Sequence, residues 1–551
     1  MKTKLLILLA FLCCKLPLLA ADADFYLDNV GYCITSETKL RAGVAKIASP
    51  SSAKKIYNVT IPSTVTYNGV TYTVASIQKN AFQNQAEYLT TIVLPNTIDY
   101  LNENSFASLT KLKSITLSES ITKIAKFSFR GCTSLQSITL PSSVTTLEYG
   151  SFYGCTALKT INWSSSIKAI GVLCFYGCKS LTTVELPNTV TSLGKGCFRG
   201  CSNLDSIKLS DNLSSLPGLC FMGCTSLKSI NLRNVTSIGY GCFCNLKNLA
   251  SIYPTNKLVT LGDSCFAKCV QFRNLTFDNV TSVGWSCFKL CTNLKTIDLP
   301  KASFISGFAF QQCHSLDSIY LPSATTFRSN CFSKCANLVS VSAPLLTEID
   351  GSGFCNIPKL SKINLPSLKK IPSYFIKNCP ALKNVRLPAA KEICGFAFTN
   401  CTSITNLDIP KVTIVIERCF DGCTALSSVK LSAVTQLKDS IFQNCSNVKD
   451  LYVDAETPPT ELSASTFGIR HYKNCTLHVP AQSLSLYKQA DVWKNFYNIV
   501  AIEDPTGIDA VTIDDEDSNL DNASIYDLNG RRLIKLQRGV NIVNGKKVIL
   551  K

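Results

Sequence analysis

A phenylalanine returns every 22 or 23 residues through most of this 551-residue chain. The series begins Phe82, Phe106, Phe129, Phe152, Phe175, Phe198 and Phe221, and it runs through Phe354, Phe375 and Phe398 to Phe442, with Phe467 marking a degenerate last unit. Each phenylalanine is followed by a short alternating segment such as "LQSITLP" (135–141) or "LTTVELP" (181–187). Before the next one comes a segment such as "VTSLGKG" (190–196). Alternation with period two places isoleucine or valine and then leucine on one face, and the proline that often follows ends the strand. A unit this short cannot bury an apolar face alone, so it must stack on copies of itself. The expected fold is a repeat solenoid: a right-handed coil with one long parallel β-sheet of about 17 rungs.

Most of the 28 cysteines follow the same period. Those just before the phenylalanine (Cys174, Cys197, Cys220) alternate with serine, alanine and glycine in other units, so that slot selects small volume. Those three residues after it (Cys132, Cys155, Cys178, Cys201, Cys224) are replaced by Leu109, Leu246 and Ile357, so that slot selects a compact hydrophobe, which a buried thiol is. Phe175, Phe198, Phe221, Cys178, Cys201 and Cys224 are therefore expected in the core. Disulfides between neighbouring rungs remain open on distance, although side chains stacked in register point the same way. Zinc needs four converging ligands, which cysteine pairs strung along a rod do not supply, so no metal and no cofactor is expected.

Catalysis finds no support. The three histidines, His314, His471 and His478, lie in unlike contexts, and no glycine-rich phosphate loop appears. The net charge of +18 would suit a polyanion if it were clustered, but lysines are spread singly over the central region, and no nucleic-acid partner is expected. Binding, if local, belongs on the outward strand positions. One column there is a ladder of serine and threonine; the next is mixed and includes Glu185, Lys208, Tyr253, Asp298, Tyr320 and Arg386, the candidate ligand-binding residues.

The ends differ from the repeat. Residues 1–21 read as a secretory signal peptide, two lysines before a short apolar run and then small residues. No later stretch is long and apolar enough to span a membrane. Residues 24–75, with "YNGVTYTV" at 67–74, suit a β-hairpin cap; 76–450 form the solenoid and 451–503 a distal cap carrying Tyr487, Trp493 and Phe496. Residues 504–523 are an acidic linker, and 524–551 a small basic β-module with Asn-Gly turns at 529–530 and 544–545.

The repeat "F-x-x-C-x-x-L-x-x-I-x-L-P" resembles the BspA-like leucine-rich repeat family, and so do the flanking hairpin and the "TLHVP" cap. The tail "IYDLNGRRL…GVNIVNGKKVILK" resembles the C-terminal sorting modules of secreted Bacteroidetes proteins that leave by type IX export machinery. The resemblance implies a secreted or cell-surface protein of a kind whose members include binders of host matrix proteins or of other bacteria; with the outward columns, the expectation is adhesion to a host extracellular or bacterial-surface protein or glycan through the strand face. The rival expectation is a spacer or stalk with no ligand.

Overall fold

The computed structural model describes residues 22–49 and 55–502, together with the backbone of five strands between 511 and 550. The leader, most of the acidic stretch and both C-terminal Asn-Gly turns lie outside the described residues. The chain winds as a β-solenoid of about 19 turns with few helices.

Where the sequence leads to one long parallel sheet, each turn contributes two strands, and they form two parallel columns. The first column is the expected one: three-residue strands such as Ser137–Thr139 and Thr160–Asn162, aligned residue on residue. The second comprises two-residue strands such as Thr146–Leu147 and Ala169–Ile170, from the "VTSLG" segments. Both columns are broken into segments, the longest a run of seven strands from Ser215–Leu216 to Glu348–Ile349. Directly after several of these strands stands a glycine where the backbones of adjacent turns approach closely. A Cβ on Gly194 would stand 2.2 Å from the Val172 nitrogen and 2.4 Å from the Gly171 carbonyl carbon.

The phenylalanines stack into an internal spine. Phe152, Phe175 and Phe198 lie 5.4 Å apart, centroid to centroid, with planes within 10°. The loop bearing each ring is also tied to the next turn, the Phe175 N–H donating to the Cys197 carbonyl at 2.7 Å. One member of the series is a correction. Phe354 aligns with Ile376, not Phe375, so Ile376 fills the spine position and Phe375 falls in the small-residue slot. Its ring stands at 83° to Phe354 and 86° to Phe398. Gly353 and Ala397 occupy that slot in the adjoining turns and leave it room. A bulky residue has changed places with a smaller one, so the volume of the core is kept.

The cysteines among the described residues are free, and those in the two repeat columns are buried. The thiols do more than fill space. Cys201 Sγ–H donates to the Phe175 carbonyl at 3.1 Å, Cys224 to Phe198 at 3.1 Å and Cys155 to Phe129 at 3.0 Å. Each of these carbonyls also accepts the N–H of the cysteine in its own turn, as Phe198 does from Cys201 at 3.2 Å. In the small-residue slot, sulfur meets sulfur at 3.3 Å between Cys197 and Cys220, and again between Cys265 and Cys287. Burial pushes the Cys132 and Cys335 thiols up to about 12 and those of Cys178 and Cys201 well above their ordinary range. A thiol held neutral is neither nucleophile nor metal ligand. Cys201→Ala should therefore cost about 1–3 kcal/mol through a small cavity and a lost weak hydrogen bond. Cys201→Leu should fold as well, since Leu109 and Leu246 sit buried in the same slot. Urea unfolding measures both; co-purified zinc whose removal unfolds the wild type would refute the packing role.

At the N-terminus, strands Phe25–Leu27, Val30–Ser36, Arg41–Ile47, Val70–Ile77 and Thr64–Tyr67 form a sheet in that order. Asn68 and Gly69 turn its last hairpin with φ of 50° and 80°, and Val70–Ile77 pairs in parallel with Tyr100–Leu101, which leads into the second column. At the far end the first column continues past the last regular repeat through Thr476–Val479 and Asn498–Ala501. Trp493 Nε1–H donates to the Pro459 carbonyl at 3.0 Å and the Tyr487 hydroxyl to that of Ala455 at 2.8 Å, closing the core. The C-terminal strands make a separate five-stranded sheet whose edge strand, Val511–Ile513, comes from within the acidic stretch.

Candidate functional site

The outward positions of the first strand column are set by alternation. In Thr183–Glu185 the central Val184 is buried and its two neighbours are exposed, and the pattern recurs in Ser206–Lys208, Thr296–Asp298, Ser318–Tyr320 and Asn384–Arg386. All six candidate binding residues are exposed there; Tyr253 and Tyr320 are 56% and 60% accessible. They do not converge on a pocket. Glu185 and Arg386 stand nine rungs apart, roughly 43 Å at the strand spacing of about 4.8 Å.

Cross-rung partners occupy many of the polar groups on this face. Glu185 pairs with Lys208 at 3.8 Å and Arg386 with Asp408 at 3.0 Å, both exposed, where such pairs add little stability. Asn162 Nδ2 donates to Thr139 Oγ1 at 3.0 Å, Asn406 to Asn384 Oδ1 at 2.7 Å and Asn498 to Thr476 Oγ1 at 2.8 Å. The result is a wet strip whose charges are largely matched, with Tyr253 and Tyr320 standing out of it.

The histidines do not come together. His314 is exposed on a turn, His478 Nε2 bonds Asp450 at 2.8 Å beneath a stacked Tyr452, and His471 reaches the Cys445 carbonyl at 3.3 Å. His471 lines a cleft at the distal end with Ser440, Asn444, Ser465 and Arg470, and burial lowers its pKa. No carboxylate lines that cleft, so His471 lacks the acid that would orient it as a base. Among the described residues no group of three or more histidine, cysteine or carboxylate side chains could hold a metal, and no helix is long and apolar enough to cross a membrane.

Sequence reasoning missed the thiol-to-carbonyl bonds. Their signal was present in the fixed three-residue offset from the phenylalanine, but leucine at the same offset reads equally well as hydrophobic packing.

No curated protein matches the chain. Among solved structures, a leucine-rich repeat protein from Bacteroides ovatus ATCC 8483 is 23% identical, with 87% of this chain and 100% of that one covered and a TM-score of 0.35. A leucine rich cell surface protein from Faecalibacterium prausnitzii A2-165 is 18% identical over 88% of this chain and 95% of that one, with a TM-score of 0.32. The pneumococcal vaccine antigen PcpA is 14% identical over 88% and 100%, with a TM-score of 0.37. The family model for the BspA type leucine-rich repeat region matches in overlapping segments, 75–179, 168–295, 220–339, 259–383 and 369–479, which span the stacked turns from the end of the first hairpin to the distal strands. This chain belongs to the BspA type leucine-rich repeat family.

Proposed function

We propose that the chain is a non-catalytic adhesion protein, secreted or held at the cell surface, that binds an extracellular protein or glycan through its strand face. Membership in this repeat family is consistent with a protein-interaction or surface role. The observation that carries the reading is the residue-on-residue alignment of exposed outward side chains in successive short runs of paired strands, which offers many weak contacts in series. Tyr320 and Arg386 stand about 14 Å apart on that face, three rungs at about 4.8 Å each, and Tyr and Arg are the residue types enriched at energetic centres of interfaces.

Replacing Tyr320 and Arg386 together by alanine should weaken saturable binding to immobilised matrix proteins more than any single serine or threonine change. Salt should weaken that binding only mildly, because the charges on the strip are sparse and paired. A stalk predicts no saturable binding at all, and the rung-to-rung matching of polar groups on this face favours that second reading. Residues 524–551 are proposed as a sorting module; their deletion should leave the solenoid's melting temperature unchanged and abolish surface display in the native host. Normal display of the truncated chain would refute the assignment.

A further inference from the structure

Basic residues that are scattered in the sequence are gathered in space by the winding. The turns around the phenylalanine spine present a second surface, distinct from the strand face, on which cations lie against rings. Lys126 Nζ sits 5.8 Å from the Tyr149 ring, the Arg199 guanidinium 5.8 Å from Tyr176, and Lys195 Nζ 4.8 Å from Tyr240. Lys195 reaches Tyr240 across the intervening turn, where Gly218 presents no side chain, and Gly218 itself packs beneath the Tyr240 ring. Tyr149 and Tyr240 are 38% and 44% accessible. A shallow, mainly apolar groove runs beside Tyr149, lined also by Leu147, Val172 and Gly194, with Lys126 at one end. The acid in that groove, Glu148, is already paired with Lys123 at 2.9 Å.

The two faces differ in what holds their cations. On the strand face Lys208 and Arg386 face carboxylates. On the turn edge Lys126, Lys195 and Arg199 lie against rings, and of the three Lys126 also lies within electrostatic reach of Glu103, whose carboxyl the Lys79 hydrogen bond and, to a lesser degree, Lys126 hold below its ordinary range. A ring positions a cation without neutralising it, so this edge keeps its positive charge and its rings together over six consecutive turns, roughly 24 Å at about 4.8 Å per turn.

We propose that the turn edge carrying Lys126, Tyr149, Tyr176, Lys195, Arg199 and Tyr240 binds an acidic polysaccharide, a chain of pyranose rings bearing sulfate or carboxylate groups. The C–H faces of such sugars pack on aromatic rings, their anionic groups meet ammonium and guanidinium, and successive sugar units advance by a distance close to one rung. Tyr176 is stacked on Tyr153 at 4.6 Å, so the half-exposed rings of Tyr149 and Tyr240 are the ones left to meet sugars. This inference is independent of strand-face binding.

The test uses the full mature chain with fluorescent heparin oligosaccharide as the probe, and polygalacturonate, neutral dextran and oligothymidylate beside it. Saturable, salt-sensitive binding to heparin and polygalacturonate but not dextran is expected. Combined Lys126→Gln, Lys195→Gln and Arg199→Gln should weaken it by roughly tenfold or more, the order expected for three lost anion contacts. Tyr149→Ser with Tyr240→Ser, which leaves the charge unchanged, should weaken heparin binding several-fold and leave oligothymidylate binding unaltered. Tyr320→Ala with Arg386→Ala should leave heparin binding intact. Heparin affinity that survives the ring substitutions, matches that for oligothymidylate, or depends on Lys546 and Lys547 of the tail instead of the edge would overturn the proposal. These side chains are at the surface, and unchanged melting temperatures verify that the variants fold.

Discussion

Raising the pH through the ordinary thiol range, about 9 and above, is expected to unfold the solenoid cooperatively. Burial holds the thiols of Cys155, Cys178, Cys201, Cys220, Cys242, Cys265, Cys269 and Cys313, among others, well above the ordinary value of 9.0. In the native state these groups keep their protons; in the unfolded chain they lose them near 9.0. The unfolded state therefore binds fewer protons in this window, and stability falls with rising pH. Each such thiol removes about 1.4 kcal/mol per pH unit once the unfolded chain has titrated. The eight named thiols alone remove about 11 kcal/mol per pH unit, which is comparable to the whole stability of an ordinary domain, about 5–15 kcal/mol. Circular dichroism followed against pH, with thiolate ultraviolet absorbance recorded alongside, checks this. The two signals should move together. Thiolate appearing near pH 9 in a chain that stays folded would mean that the thiols are not sealed in the core.

Phe198→Ala should remove about 3–5 kcal/mol. The ring is wholly buried and lies between Phe175 at 5.4 Å and Phe221 at 5.8 Å, nearly parallel to both. The hole has no easy way to close, because the backbone on both sides is pinned: Phe175 N–H to the Cys197 carbonyl and Phe198 N–H to the Cys220 carbonyl at 3.0 Å. Each turn touches only its neighbours, so the loss should be local. Hydrogen exchange should quicken in the turns of Phe175, Phe198 and Phe221 and stay unchanged near Phe398. A cost below about 1 kcal/mol, or exchange quickened evenly along the chain, would refute the picture of a pinned aromatic stack.

The repeat period made the spine, the two cysteine columns and the outward strand positions legible in the sequence, because stacking forces equivalent residues into equivalent environments. Three features were less accessible, each for a physical reason. The second strand column is made of two-residue strands, too short for alternation to register. Phe375 was misplaced because a phenylalanine adjoining the true spine position mimics the period; only the register with Phe354 reveals Ile376 as its occupant. The basic turn edge forms no cluster along the chain; winding alone brings Lys195 over Tyr240, 45 residues away. The six strand-face candidates are exposed as expected, but their spread along the rod follows from rung spacing, and no short segment of sequence carries it.

The offset-by-one-turn hydrogen bonds have a bearing on how such a molecule changes over generations. Carbonyl to thiol, amide to carbonyl and ring to ring, the core contacts join equivalent positions of adjacent turns. Loss or duplication of one whole period would therefore rejoin the same kinds of partner, while loss of a single residue would throw every later column out of phase. Length is thus the property this architecture can vary most freely by recombination, and with it the reach of both outward surfaces, without any new core having to be found.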